Sequence, residues 1–184
     1  MPELTSSGPF SGSSPGVAIR RAVADDVQLI LSLVKELAVY ERAPDAVKAT
    51  ADDLLRDGFG ERPLFHVLLA EARVAPEDEV KPLGFAFYFF QYSTWEGAPS
   101  LYLEDLFVRP EFRRLGAGRA LLQRLAQEAV NRACKRFQWS VLDWNVDAIA
   151  FYESLGARLI GDWRTVRIDG QALHALAARA AKGV

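Results

Sequence analysis

The sequence predicts an α/β fold in which one mixed β-sheet carries helices on both faces. Half of the 184 residues are hydrophobic and 11% are aromatic, which is enough apolar material for a sizeable core. Segments with a two-residue apolar period alternate with segments of helical period, in the order β-α-α-β-β-β-α-β-α-β. Residues 1–16 are rich in Ser, Gly and Pro, so we expect a flexible leader there and one folded domain over residues 17–184.

Six segments have the apolar patterns of strands. The segment Leu101–Val108 is almost continuously apolar, which is typical of a central strand covered on both faces. Residues 73–82 are polar and contain two prolines, and we expect a hairpin connection there. In chain order the predicted strands are Val17–Ala22, Leu64–Glu71, Leu83–Tyr92, Leu101–Val108, Phe137–Leu142 and Arg158–Ile168.

Helices are predicted where apolar side chains recur every three or four residues. Two of these helices begin with the spacing of a capping box, Asp25 with Gln28 and Thr50 with Asp53. Gly58 is placed to end the second helix. In chain order the predicted helices span residues 25–41, 50–58, 116–133, 146–155 and 171–182.

Charge and cysteine content exclude several classes of function. The net charge is −2, which gives no electrostatic reason to expect nucleic acid or an anionic membrane as a partner. No apolar run approaches the roughly 20 residues that span a bilayer. The single Cys134 excludes an internal disulfide framework and fits a reducing, cytoplasmic location. Because the two histidines and one cysteine form no ligand pattern, we expect no metal.

A basic, glycine-rich loop, Arg113-Arg-Leu-Gly-Ala-Gly118, lies between the strand 101–108 and the next helix. Glycines let a backbone approach a ligand closely, and free amides at a helix start point at an anion. Arg113 and Arg114 add positive charge. The alternative is an ordinary basic turn before a surface helix. A dinucleotide site is disfavoured because the G-x-G-x-x-G order and its distant acidic residue are missing.

Two adjacent carboxylates, Glu104 and Asp105, interrupt the apolar strand before this loop. Carboxylates in such a strand are costly unless they meet solvent, a cation or hydrogen bonds. Regular alternation would send them to opposite faces, whereas a β-bulge could bring both to one cleft. The alternative is one exposed edge carboxylate and one structural salt bridge.

The loop 113–118 resembles the R-x-x-G-x-G/A motif of the Gcn5-related N-acetyltransferase (GNAT) superfamily. In that superfamily, the loop of this motif binds the pyrophosphate of acetyl-CoA. The segment from Asn145 to Gly156 resembles the one in which a tyrosine, here Tyr152, faces the coenzyme sulfur. A phenol with a pKa of about 10 is a reasonable acid for a departing thiolate. By itself, Tyr152 also fits a core aromatic beside Phe151, and its distance from the loop disfavours that alternative.

A series of motifs over residues 17–168, in the same chain order as in the spermidine/spermine N1-acetyltransferase family, extends the resemblance to that family. Two further pieces, Tyr92-Ser-Thr-Trp95 and Val141-Leu-Asp-Trp-Asn145, are more similar to its thialysine (diamine) acetyltransferase branch. The motifs that carry the family resemblance are Ile19-Arg20 with Asp25-Asp26, Lys35–Ala38 with Tyr40-Glu41, Asp53–Leu55 with Asp57–Glu61, Leu83–Ala86 and Tyr102–Asp105. The resemblance implies a GNAT fold, with a twisted, mostly antiparallel sheet of about six or seven strands and about four helices.

The resemblance also implies a role for individual residues. Tyr152 would be the general acid and Glu104 the group that takes the amine proton, directly or through water. Asp105 and Trp95 would bind the cationic chain of the substrate, and Asn145 would lie near the coenzyme arm. The strand Leu106, Phe107 and Val108 would pair with pantetheine. The pyrophosphate would lie on Arg113, Arg114, Leu115, Gly116, Ala117 and Gly118.

Three departures from the polyamine enzymes bear on the ligands. Ser93 and Gly161 stand where those enzymes carry acidic residues, which weakens attraction for a long polycation. The basic residues that follow the catalytic tyrosine in those enzymes are replaced by Glu153-Ser-Leu155. The 3′-phosphate of the coenzyme therefore needs another donor, and Arg119 and Arg124 are the candidates.

We therefore expect acetyl transfer from acetyl-CoA to a primary amine of a small diamine or basic amino acid, in a homodimer. A thialysine-like, an ornithine-like and a polyamine substrate all fit the motifs. Two other classes remain open. One is a protein or peptide N-acetyltransferase, and the other is a non-catalytic acyl-CoA-binding module. Retention of both Glu104 and Tyr152 argues against the non-catalytic module.

Overall fold

A computed structural model describes residues 16–73 and 79–180 of the chain. The chain divides into two compact units, Met1–Ser140 and Val141–Val184. The predicted leader lies outside the described residues except for Gly16, as do residues 74–78 of the predicted hairpin connection. No helix in the described ranges is long and apolar enough to cross a membrane. Within the same ranges, no three His, Cys, Asp or Glu side chains are grouped to hold a metal ion.

The first unit contains a mixed, mostly antiparallel sheet of five strands in the spatial order β1-β2-β3-β4-β5. The first three pairings are antiparallel and the last, between β4 and β5, is parallel. The strands are β1 Val17–Arg21, β2 His66–Ala72, β3 Lys81–Ser93, β4 Ala98–Val108 and β5 Arg136–Trp139. The predicted fold class is confirmed, and the described part of the chain contains five strands rather than the six or seven expected.

The described residues form five helices, close to the number expected. They are α1 Val27–Tyr40, α2 Ala51–Phe59, α3 Ala117–Asn131, α4 Val146–Glu153 and α5 Gly170–Ala180. Short 3-10 turns at Ala24–Asp26 and Pro110–Phe112 lead into α1 and into the loop before α3. Helices α4 and α5 belong to the second unit.

The predicted capping box of α2 is confirmed, and that of α1 is wrong. The Thr50 hydroxyl accepts a hydrogen bond from the Asp53 amide at 3.2 Å, and the Asp53 carboxylate accepts one from the Thr50 amide at 3.0 Å. Before α1, Asp26 rather than Asp25 has this role, because its carboxylate accepts the Val23 amide at 2.7 Å. Gly58 does not end α2. It lies inside the helix, where an added methyl group would meet the Phe65 ring at 2.4 Å.

Two consecutive arginines of β1 connect the sheet to elements on opposite faces. Because side chains alternate along a strand, Arg20 and Arg21 point to different faces. Arg20 forms ion pairs with Asp26 at 2.6 Å and Glu71 at 2.8 Å. Arg21 forms an ion pair with Glu128 of α3 at 2.6 Å. Helices on both faces of the sheet were predicted. The pairs of Arg20 with Asp26 and of Arg21 with Glu128 connect β1 to the segment before α1 and to α3.

A hydrophobic core lies between the sheet and the helices α1 and α2. Aromatic rings line the sheet side of this core, and the rings of Phe65 and Phe87 stack with their centroids 4.1 Å apart. Its buried members are Val27, Ile30, Leu33, Leu37, Leu54, Phe65, Val67, Leu69, Phe85 and Phe107. This core fixes the last turn of α1 above β4, where the predicted site residues begin.

The predicted strand at Arg158–Ile168 is wrong, because no strand of the described chain follows β5. A strand requires a neighbouring strand to accept its backbone hydrogen bonds. The apolar residues that suggested the strand are exposed instead, among them Trp163 at 74% and Val166 at 93%. The alternating pattern reflects the apolar side chains of this segment, but a pattern within one segment does not show whether a neighbouring strand can pair with it.

Candidate active site

The loop that follows β4 leaves amide groups free at the start of α3. Gly116 is the residue before α3, and its φ of 87° lies in the left-handed region that favours glycine. Arg114 also has a positive φ, of 66°. No side chain caps the helix, so the amides of its first turn keep their donors for another acceptor. The structure thus places an uncapped helix start at the motif predicted to bind a pyrophosphate.

Within the described part of the chain, Arg113 is the loop arginine whose side chain makes defined contacts. Its Nε donates to the carbonyl oxygen of Val108 at 3.2 Å. Its guanidinium carbon lies 4.5 Å from the centroid of the Tyr40 ring, in the last turn of α1. The Tyr40 ring also contacts Phe107, with a centroid distance of 6.4 Å. The helix α1 therefore contacts the basic loop directly.

A second contact joins α1 to the start of this loop. Arg109 donates to both carboxylate oxygens of Glu36 at 2.7 Å, and its Nη1 donates to the Pro82 carbonyl at 2.9 Å. Two parallel bonds between a guanidinium and a carboxylate fix direction as well as distance. This pair lowers the pKa of the Glu36 carboxyl, mainly through the hydrogen bonds from Arg109. The chain before the loop is thereby tied to both α1 and β3.

One edge of β4 has no strand partner over its second half. Pairing with β5 covers only Ser100 to Leu103, although β3 pairs with β4 up to Val108. Within the described chain, no strand pairs with the β5-side edge of Leu106, Phe107 and Val108. An open edge can accept an extended ligand through its backbone amides and carbonyls. The predicted pantetheine-binding residues lie on this edge.

The structure contains a β-bulge at the two predicted carboxylates. Phe87 of β3 pairs with Asp105, and the next residue, Tyr88, pairs with Leu103, so Glu104 is the extra residue of β4. Glu104 is exposed and Asp105 is half-buried. A bulge removes the strict alternation of a strand. The bulge considered from the sequence is therefore present in β4.

The register places Asp105 on the face of the sheet that α1 covers. Directly opposed residues in an antiparallel pair share a face, and Asp105 opposes Phe87, whose ring belongs to the core beneath α1. On the same face, the ring of Tyr102 lies 5.2 Å from that of Phe89. The hydroxyl groups of Tyr102 and Ser140 are 3.2 Å apart. Asp105 thus lies between aromatic rings.

Asp105 has the most perturbed carboxyl group of this region. Burial raises its pKa to about 6, and the nearby charges of Glu104 and Glu41 add to the rise. Partial burial also raises the pKa of Glu41, the residue that follows α1. The family resemblance includes Glu41 only within the Tyr40-Glu41 motif and implies no role for it. Its place in the Tyr40-Glu41 motif was the only sequence signal for it, because its burial depends on the fold.

Trp95, predicted to bind the substrate, and Ser93, where the polyamine enzymes carry an acidic residue, both lie in the β3–β4 hairpin. Trp95 is 87% exposed at the tip of the β3–β4 hairpin. From Ala98, just after that tip, β4 runs on the order of 20 Å to Asp105. Within one chain, Trp95 and Asp105 are therefore not brought together. Ser93 is buried, and its hydroxyl accepts the Glu96 amide at 3.2 Å, so it holds the hairpin turn.

The remaining predicted residues belong to the second unit. Asn145 precedes α4, and its side-chain oxygen accepts the Ala148 amide at 3.4 Å. Tyr152 lies in the last turn of α4, half-buried, with its ring 5.5 Å from that of Phe151. Gly156 follows the helix with a φ of 89°. The roles of Asn145 and Tyr152 in coenzyme binding and catalysis stay predictions.

Comparisons with known proteins show the family to which this chain belongs. The family model described as acetyltransferase (GNAT) family matches residues 32–157. The chain is 40% identical to the thialysine N-epsilon-acetyltransferase of Sus scrofa over 168 residues, which cover 89% of this chain and 98% of the relative. It is 45% identical to the spermidine/spermine N(1)-acetyltransferase-like protein 1 of Homo sapiens over 144 residues, 76% of this chain and 20% of that protein.

A solved structure is also similar. An integron cassette protein from the mobile metagenome of V. cholerae has a TM-score of 0.71 and 30% sequence identity, and the match covers 90% of this chain and 99% of that one. The predicted superfamily and branch are both confirmed by these relatives. The chain belongs to the GNAT family of N-acetyltransferases, enzymes whose acetyl donor is acetyl-CoA.

Proposed function

We propose that the enzyme acetylates a primary amine of a small diamine or a basic amino acid such as thialysine or ornithine. The observation that carries this proposal is the group of three carboxylates, Glu41, Glu104 and Asp105. Burial raises the pKa of Asp105, and repulsion from the charges of Glu104 and Glu41 adds to the rise. A cationic ligand relieves such repulsion. Aromatic rings on the same face of the sheet, such as Phe87, suit the aliphatic part of the amine.

Acetyl-CoA would bind along the open edge of β4 and over the loop that follows. The backbone of residues 106–108 would pair with pantetheine, and the amides of residues 114–118 would bind the pyrophosphate together with Arg113. The acetyl carbonyl would then lie near Glu104, where the strand bulges. Backbone amides would polarise that carbonyl and stabilise the charge that develops on its oxygen.

The proposed reaction needs two proton transfers. An alkylammonium with a pKa of about 10 becomes nucleophilic only after it loses a proton, and Glu104 would accept that proton, directly or through water. The amine nitrogen then forms a bond with the acetyl carbon as the bond from carbon to sulfur breaks. Tyr152 would donate its proton to the leaving thiolate. The products are the N-acetylated amine and free CoA.

The proposal is tested by measuring CoA release with acetyl-CoA and a panel of amines. The panel contains thialysine, ornithine, lysine, diaminopropane, spermidine, spermine and a lysine-containing peptide. We expect turnover with the short amines and weaker turnover with spermine, because Ser93 holds a turn where the polyamine enzymes carry an acidic residue. Activity on the peptide alone would identify a protein acetyltransferase. Coenzyme binding without CoA release by any amine would identify a non-catalytic module.

Replacing Tyr152 by phenylalanine is expected to lower kcat by about a hundredfold or more, because the leaving thiolate loses its acid. Affinity for acetyl-CoA should change little, since the ring stays in place. Steady-state kinetics and a binding titration with CoA check both parts. A kcat within a few-fold of the unmodified enzyme would show that Tyr152 is not the acid.

Replacing Arg119 by methionine is expected to weaken CoA by about three- to tenfold and 3′-dephospho-CoA much less. Arg119 is exposed in the first turn of α3, and no hydrogen bond or ion pair joins it to the described residues. Arg124 instead donates to Glu128 at 3.2 Å. The matched variant Arg124→Met should therefore lower stability to urea and leave the discrimination between the two coenzymes intact. Equal effects of both variants on discrimination would reject this assignment.

We further propose a homodimer in the cytoplasm. The exposed apolar residues of the second unit, such as Leu173 and Leu176 of α5, support a subunit interface. Sedimentation that shows a monomer at micromolar concentration would exclude the dimer.

A further inference from the structure

We infer that Tyr40 is a positioning residue for the coenzyme, because its ring orients Arg113 toward the pyrophosphate. The inference rests on the proposed role of the loop 113–118. Tyr40 lies in the last turn of α1, which is remote in sequence from that loop, and neither composition nor motif spacing connects the two. The geometry that joins them is the 4.5 Å contact between the Arg113 guanidinium and the Tyr40 ring.

Two contacts fix the guanidinium plane and leave its donor edge free. The face of Arg113 lies on Tyr40, and its Nε donates to the Val108 carbonyl. Among the described residues, no acceptor takes a hydrogen bond from either Nη atom of Arg113. A stacked guanidinium keeps its in-plane donors, which match two oxygens of a phosphate. Arg113 is therefore held in a conformation suited to a bidentate contact with an anion.

Tyr40 can orient Arg113 because its own position is set by packing. The ring of Phe107, buried in β4, contacts it from the sheet side. One helical turn earlier, Glu36 binds Arg109 through two hydrogen bonds of 2.7 Å. Residues four apart on a helix lie on the same face, so Glu36 and Tyr40 contact the two ends of one short segment, residues 109–113. The last turn of α1 thereby sets the course of the chain before the pyrophosphate loop.

The effect is expected to be selective for ligands that contain the pyrophosphate. Without the ring, the exposed Arg113 side chain would sample many rotamers and would lose the cation–π attraction. We expect Tyr40→Leu to raise the Kd for CoA by about three- to tenfold. Tyr40→Phe keeps the ring face and should stay within about twofold of the unmodified enzyme. The variant Arg113→Met should weaken CoA at least as much as Tyr40→Leu.

The experiment is a double-mutant cycle with two acyl donors. The Kd for CoA is measured by calorimetry for the unmodified enzyme, Tyr40→Leu, Arg113→Met and the double variant, and KM is measured with acetyl-CoA and with acetyl-pantetheine, which lacks the pyrophosphate. Urea unfolding shows that each variant is folded. We expect the double variant to bind CoA no more weakly than Arg113→Met, and we expect Tyr40→Leu to leave the KM for acetyl-pantetheine unchanged.

Three results would overturn the inference. Additive losses in the double variant would show that Tyr40 and Arg113 act independently. An equal loss with acetyl-pantetheine would give Tyr40 a merely structural role. A raised KM for the amine with an unchanged Kd for CoA would place Tyr40 in the amine pocket. If the unmodified enzyme did not bind CoA, the proposed role of the loop would be wrong as well. That outcome differs from the three above, in which the unmodified enzyme binds CoA.

Discussion

Replacing Asp105 by asparagine is expected to stabilise the unliganded enzyme at pH 8 by about 2–3 kcal/mol. The folded protein raises the pKa of this carboxyl to about 6, mainly through burial. Because the folded-state pKa lies above that of the unfolded chain, ionisation of Asp105 costs stability as the pH rises through 4 to 6. Asparagine does not ionise, so the two proteins should differ fully at pH 7–8 and hardly at all below about pH 4.

The same substitution is expected to weaken amine binding by about tenfold or more, because the cation loses a charged partner. Urea unfolding at pH 4 and pH 8, together with amine KM values, measures both effects. Asp45→Asn, at an exposed loop position, is the matched control and should change neither. The exposed Glu104 gives a second comparison, since Glu104→Gln should depress kcat with little change in stability. Equal stability of Asp105→Asn and the unmodified protein at pH 8 would contradict this account of Asp105.

Replacing Gly84 by alanine is expected to destabilise the fold by about 3 kcal/mol or more. Gly84 pairs with Val108 at the end of β4. A methyl group built on Gly84 would meet the Phe107 carbonyl oxygen at 2.1 Å and the Val108 Cα at 2.8 Å. Both are backbone atoms, so β3 and β4 must separate to admit it. The displaced part of β4 is the part whose open edge is proposed to bind pantetheine, so CoA affinity should also fall.

The control for this substitution is Gly161→Ala. Among the described residues, no heavy atom lies within 4 Å of a methyl group built at Gly161. The control should therefore leave the free energy of unfolding and the Kd for CoA close to those of the unmodified protein. Urea titration and calorimetry measure the two quantities. If Gly84→Ala unfolds at the same urea concentration as the control, β3 and β4 do not approach each other as closely as described here.

The features that the sequence predicted best depend on neighbouring residues. The loop 113–118 was located because glycine and arginine at fixed spacing have a local meaning at the start of a helix. The bulge was considered because Glu104 and Asp105 are adjacent in an otherwise apolar strand. The Thr50–Asp53 box was predicted because a cap is made within one turn. In each case the interacting groups lie within a few residues of one another.

The features that the sequence missed depend on contacts between distant segments. Arg109 and Glu36 are 73 residues apart, and nothing in either segment indicates the other. The raised pKa of Asp105 requires burial, which a sequence does not state. The error at Asp25 is different, because it is local: Asp26 pairs with Arg20, six residues earlier, and accepts the Val23 amide. The strand expected at Arg158–Ile168 failed because pairing depends on a neighbouring strand that the pattern does not specify.

The bulge in β4 has a consequence for how this enzyme can change. The hydrogen-bonded ladder between β3 and β4 is complete without Glu104, since Leu103 and Asp105 oppose consecutive residues of β3. A deletion of this single codon would therefore restore a regular ladder and leave the sheet intact, while it removes the proposed proton acceptor. At Glu104, a single deletion would both remove the proposed proton acceptor and remove the bulge from β4. On the proposed mechanism, this one deletion would leave a protein that binds the coenzyme without catalysing acetyl transfer.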